Sequence, residues 1–97
     1  MCEEMIKLRQ MLDDRGIKWK DVSEVYPQSK FYIHRTHFTF EEIDYSVING
    51  YGTYGGYDSF DHVNKGLLEI MGEGVNNGDP LGWLTAEEVL KEVGVIK

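Results

Sequence analysis

The stretch of this chain best equipped for chemistry is Gly50-Tyr51-Gly52-Thr53-Tyr54-Gly55-Gly56-Tyr57, with four glycines, three tyrosines and one threonine in eight residues. Glycine permits positive φ and close approach of a ligand to the backbone. Tyrosine offers a flat apolar ring with a polar tip. Backbone N–H groups in a glycine-rich turn line a concavity for an anion, and the rings can stack a nucleobase or another planar group. The spacing Gly50-x-Gly52-x-x-Gly55 formally matches G-x-G-x-x-G. A dinucleotide fold, however, needs a helix opening at the last glycine and a further parallel strand. Here Gly56-Tyr57-Asp58-Ser59 intervenes. No Val-Ala-Ile-Lys strand follows, as a kinase loop requires, and no Gly-Lys-Ser/Thr is present. The stretch therefore reads as a binding loop outside the familiar nucleotide folds; the alternative is a Tyr/Gly loop packed on a sheet.

Two further residues suit the same chemistry. Arg35 sits mid-strand among apolar neighbours, and its planar fork matches phosphate or carboxylate; pairing with Glu41, Glu42 or Asp44 across a hairpin is the competing assignment. Trp83 precedes the N-terminus of the last helix, where free N–H groups favour anions. If its loop, Asn77-Gly78-Asp79-Pro80-Leu81-Gly82-Trp83, folds beside Gly50–Tyr57, the two form a pocket with aromatic walls. Otherwise Trp83 is a hydrophobic staple for that helix. The carboxylates Glu41, Glu42 and Asp44 read as a solvated turn.

The three histidines are His34, His37 and His62. His34 and His37 are three apart on a strand, so they point to opposite faces and do not share a metal. His34-Arg35-Thr36 resembles the His-x-Thr element of two-histidine phosphodiesterases, a mechanism that needs two such elements; the chain has one, and a dimer would have to supply the other. No metal site and no cofactor are expected. With Cys2 as the single cysteine, neither an intrachain disulfide nor a cysteine-based zinc site can form.

These residues must be positioned by one domain of 97 residues. A chain of this length buries about 60–65% of its unfolded surface, and oligomerisation is a common supplement. The net charge of −7 is the wrong sign for direct nucleic-acid binding, which draws its affinity from phosphate neutralisation. It fits a soluble protein or an acidic mimic. Met1-Cys2-Glu3-Glu4 has neither a basic nor an apolar leader region. No run reaches the roughly 20 apolar residues of a membrane span, so a cytoplasmic location is expected.

Residues 2–14 are predicted to form a helix with Met1, Met5, Leu8 and Leu12 on one face, stopped at Gly16. The alternating stretch 17–22 predicts a short strand, its lysines suiting a sheet edge. Tyr26-Pro27-Gln28-Ser29 predicts a turn, and 31–40 a strand rich in aromatics and threonine. Glu41-Glu42 turns the chain into a second strand, 43–49, as an antiparallel hairpin. Leu67, Leu68, Met71 and Val75 predict a helix over 65–76, weakened by Gly72 and Gly74, which often permit close packing with a neighbouring helix or ligand. Thr85-Ala86-Glu87-Glu88 is a capping box opening a last helix that ends at Gly94. The expected fold is α+β: an N-terminal helix, a small antiparallel three-stranded sheet and two C-terminal helices.

Tyr45-Ser46-Val47-Ile48-Asn49-Gly50-Tyr51-Gly52-Thr53-Tyr54-Gly55-Gly56, with Gly66-Leu67-Leu68-Glu69, Gly82-Trp83-Leu84-Thr85-Ala86-Glu87-Glu88-Val89 and the opening Met1-Cys2-Glu3-Glu4-Met5, resembles a group of small phage and prophage accessory proteins. The resemblance covers most of the chain. It implies a setting in which such proteins counter host immunity, either by sequestering cyclic nucleotides or cyclic ADP-ribose isomers in compact oligomers, or by blocking a defence protein. The expectation is a non-enzymatic homo-oligomer that traps a nucleotide-derived small molecule. Its contacts are Arg35, Asn49, Tyr51, Gly52, Thr53, Tyr54, Gly55, Gly56 and Trp83. The alternatives are an acidic inhibitor of a host protein and a small phosphodiesterase using His34 and Thr36 from two subunits.

Overall fold

The computed structural model describes residues 1–25, 32–57 and 63–97. The predicted turn at 26–29, the start of the strand at Phe31, and His62 lie outside the described residues. Helix α1 (Glu3–Asp14) is followed by β1 (Trp19–Asp21), β2 (Glu24–Val25), β3 (Tyr32–Phe40), β4 (Ile43–Gly50), β5 (Leu68–Met71), a 3-10 turn at Asn76–Gly78, β6 (Leu81–Leu84) and α2 (Ala86–Val93). The strands form one six-stranded sheet in the order β1-β3-β4-β5-β6, with β2 also paired to β3. Every named pairing is antiparallel.

Both helices cover one face of this sheet. α1 contributes Met5, Leu8 and Leu12, and α2 contributes Ala86, Val89 and Leu90. They meet Phe38, Tyr45, Val47, Leu68, Ile70 and Leu84. Met1 precedes the helix and is exposed rather than part of its buried side. Register places Phe38 opposite Tyr45 and Thr36 opposite Val47, so these residues share the helix-covered face. The intervening positions, Arg35 opposite Ile48 and His37 opposite Ser46, occupy the other face, on which no described helix packs.

α2 opens on the predicted capping box, with Thr85 and Glu88 each satisfying the other's backbone donor, and closes on Gly94 at φ 94°. The β3–β4 hairpin also forms as predicted. Phe40 pairs with Ile43, which leaves Glu41 and Glu42 as a two-residue turn.

The expected three-stranded sheet with two C-terminal helices is incorrect. Among the described residues six strands form, and a single helix follows them. The segment predicted as a helix over 65–76 is instead β5 and the turn after it. Leu68, Glu69 and Ile70 are all buried, because β5 is covered on both faces, so the alternation that marks a half-exposed strand is missing. Gly72 and Gly74 pack closely not on a helix or ligand but on the Tyr45 ring of β4: a Cβ at 72 would strike Cδ1, and one at 74 the hydroxyl. β6 lies in a stretch that reads as loop, because Pro80 precedes it and Gly82 interrupts it. Among the described residues no helix is long and apolar enough to cross a membrane.

Candidate functional site

β4 delivers the chain into the Gly/Tyr loop at Gly50, and the loop folds on its own backbone. The Thr53 hydroxyl accepts the Gly50 N–H at 3.0 Å and donates to the Gly50 carbonyl at 2.9 Å. Tyr51 donates to Tyr32 O at 3.0 Å, Gly52 to Tyr57 O at 2.9 Å, Gly56 to Thr53 O at 3.1 Å and Tyr57 to Gly50 O at 2.9 Å. The Tyr54 N–H goes to the Glu69 carboxylate at 2.8 Å. These donors are used inside the protein, so they do not form the anion-binding concavity that the glycine content suggests. Gly56 is required by proximity: a Cβ there would overlap Gly50 O and the Thr53 hydroxyl. The composition thus builds a self-bonded loop in which Tyr54 is exposed while Tyr57 packs edge-on against Tyr32.

The loop lies beside β6, the arrangement in which Trp83 is a neighbour of Gly50–Tyr57. Trp83 N–H donates to Tyr54 O at 3.2 Å. Leu68 pairs with Leu84 and Ile70 with Leu81, so Gly82 and Trp83 together oppose Glu69 in a β-bulge. A Cβ on Gly82 would overlap Tyr54, so glycine is what lets the loop settle against the strand. The bulge holds Trp83 at φ 62°, a left-handed conformation that is an outlier for a bulky residue. Trp83 is 55% exposed and Tyr54 57% exposed. Trp83 is therefore not the staple of α2. Leu84, buried at the position before the cap residue Thr85, shares the core with Val89 and fits that role.

Ile48 pairs with both Arg35 and Glu69, so Arg35, Ile48 and Glu69 form one row across the open face. With strands about 4.8 Å apart, Arg35 and Glu69 stand roughly 10 Å from each other at the backbone. Arg35 pairs with Glu24 at 3.4 Å, not with Glu41, Glu42 or Asp44. Asp44 instead accepts from the Thr39 hydroxyl. The next row brings Lys20, His37, Ser46 and Met71 together. Part of that row enters an open groove of about 890 Å³, lined by Lys18, Lys20, His37, Thr39, Asp44 and Ser46 among others. The groove is also lined by Trp19, Phe38 and Tyr45, and it includes neither the Gly/Tyr loop nor Trp83, so it is separate from the aromatic site.

Other expected contacts have structural duties. Asn49 is fully buried. Its amide donates to Leu67 O at 2.8 Å and exchanges hydrogen bonds with the Asn64 amide at 2.7 and 3.0 Å. Asn64 also donates to the Tyr32 hydroxyl at 3.1 Å. The N-terminus of α2 is occupied by the chain's own carboxylates: Glu88 caps Thr85, and Glu4 accepts the Ala86 N–H at 2.8 Å. Thr36 is fully buried, accepts from Arg9 and donates to Met5, so the His-x-Thr pattern presents no free hydroxyl. His34 packs its ring 4.7 Å from that of Tyr32, and its buried Nδ1 has no hydrogen-bond partner among the described residues. Burial holds its imidazole below the ordinary value of 6.5, with the charges of the N-terminal amine and Arg9 adding to the effect and Asp21 opposing it.

Glu69 is the site residue that sequence reasoning misses. Flanked by Leu68 and Ile70, it carries the signal of a charge inside an apolar run, which a helical reading places on a solvated face. Comparison with known protein families, curated proteins and solved structures finds no match to this chain.

Proposed function

We propose that this protein is a non-enzymatic binding protein that takes a nucleotide-derived anion on the open face of its sheet and holds it without turnover. The observation that carries this reading is the Trp83–Tyr54 backbone hydrogen bond, which brings two exposed aromatic residues together beside a sheet face bearing Arg35. In this reading Tyr54 and Trp83 stack the base. Arg35 holds phosphate, with Lys20 and His37 in the adjoining row. Tyr51, Gly52, Thr53, Gly55 and Gly56 frame the loop, and Asn49 anchors its base. The resemblance to phage accessory proteins supports an anti-defence role in the host cytoplasm, with a cyclic nucleotide or cyclic ADP-ribose isomer as the trapped signal. Exposed Tyr54, Met71 and Trp83 give apolar area that a homo-oligomer would cover.

The test is to mix the protein with cyclic nucleotides and cyclic ADP-ribose isomers, remove free ligand, then heat-denature and identify what is released. Recovery of intact ligand supports trapping; no binding to any member overturns it. A second reading, an acidic inhibitor that contacts a host defence protein directly, is favoured by the net charge of −7. A salt-sensitive protein partner in a pull-down, with no small molecule bound, would select it.

A further inference from the structure

We infer that Glu69 is the base-reading residue of this site and that it selects a base edge rich in N–H donors, guanine above adenine and uracil. The inference rests on the binding reading given above. Glu69 is only 7% exposed, although it lies on the sheet face that the helices leave uncovered. One of its oxygens, Oε1, accepts the Tyr54 N–H. Among the described residues the other oxygen has no protein donor, and because it is not a buried unpartnered atom it is open to solvent. Arg35, two strands away in the same row, is engaged by Glu24 and does not neutralise it.

A carboxylate offers about four acceptor positions, and the Tyr54 N–H fills one of them. Glu69 opposes the Gly82–Trp83 bulge and holds Tyr54 by its amide, so it adjoins the backbone of both exposed aromatic residues. A ring stacked on Tyr54 or Trp83 would turn its edge toward this carboxylate. Guanine presents N1–H and the 2-amino group side by side, a pair that a carboxylate accepts together. Adenine offers one amino group beside a ring acceptor, which a carboxylate repels. Uracil offers one N–H flanked by two carbonyl oxygens.

The experiment measures binding of cyclic GMP, cyclic AMP and cyclic UMP by titration calorimetry, to the native protein and to Glu69→Gln. Glutamine keeps an oxygen for the Tyr54 N–H and replaces the open acceptor with a donor. The native protein is expected to bind cyclic GMP at least about tenfold more tightly than the other two, the scale of discrimination that one good bidentate base contact provides. Glu69→Gln should lose about tenfold or more for cyclic GMP while cyclic AMP is retained or improves, because the amide matches adenine's donor–acceptor edge. Equal affinities in the native protein, or an unchanged preference in Glu69→Gln, overturn the assignment of Glu69 and leave the binding reading standing. Failure of the native protein to bind all three overturns the assignment, and the trapping test with the wider panel then decides the binding reading separately. The native protein's preference tests the assignment even if the variant does not fold.

Discussion

Arg9 on α1 reaches into the sheet and donates from Nε to the Thr36 hydroxyl at 2.8 Å, a bond between two buried side chains 27 residues apart in sequence. The same guanidinium lies 4.6 Å from the centre of the Trp19 ring, 3.3 Å from Asp21 and within hydrogen-bond reach of Arg35 O. One side chain therefore ties the helix to β1 and β3. Arg9→Leu removes these bonds and leaves the buried Thr36 hydroxyl with one partner fewer. It should cost about 2 kcal/mol, read as a lower urea midpoint at unchanged slope.

The two-residue turn of the β3–β4 hairpin is built from Glu41 at φ 51° and Glu42 at φ 68°. Paired positive φ values define the turn in which Asn-Gly is preferred, and each left-handed non-glycine residue costs roughly 1–2 kcal/mol. The double change Glu41→Asn and Glu42→Gly should raise stability by about 1–2 kcal/mol without altering ligand affinity. Thermal unfolding and calorimetry check the two halves of this statement.

Trp83 combines exposure with a left-handed backbone, so it is strained and its side chain lies largely outside the core. Strain of this kind is a cost that function can justify. Trp83→Gly should keep or increase the melting temperature, by a gain of about 1 kcal/mol in stability, and should abolish ligand retention. A destabilised variant that still retains ligand would contradict both parts.

His34 gives the fold a dependence on pH. Its folded value lies below 6.5, chiefly because burial disfavours the charged ring. The unfolded chain therefore binds the proton more readily. The associated stability is fully present above about pH 6.5 and is lost as pH falls toward the folded value. Urea unfolding at a series of pH values from neutral into the acid range should show the decline, and His34→Gln should remove that portion of it.

The hairpin, the first helix and the capping box are legible in the sequence because each rests on local chemistry: alternation, a 3.6-residue apolar spacing, or a Thr–Glu pair three residues apart. β5 is not, because periodicity reports a contrast between buried and exposed faces. Glu69 is covered by Tyr54's loop, 15 residues earlier, a contact outside the window that periodicity reads. Leu67, Leu68, Met71 and Val75 meanwhile mimic a helical stripe. The loop is recognisable from its glycines and tyrosines, but the destination of its N–H groups is not. Thr53 and Glu69 take donors that composition alone would assign to a ligand. The adjacency of Tyr54 and Trp83 depends on Gly82 and a bulge, which sequence spacing does not encode.

The Asn49–Asn64 amide pair also governs how the protein ages. Asn-Gly sequences deamidate when the glycine nitrogen attacks the asparagine side chain, and the chain has two of them, Asn49-Gly50 and Asn77-Gly78. At the first, the Asn49 amide is held by Leu67 and Asn64, and the Gly50 nitrogen is held by the Thr53 hydroxyl. Neither reacting group is free to approach the other while the loop is closed. At the second, Asn77 is exposed on a turn. In stored protein, the small mass gain that accompanies deamidation should accumulate at Asn77 first. Its later appearance at Asn49 would then record how often the Gly/Tyr loop comes undone.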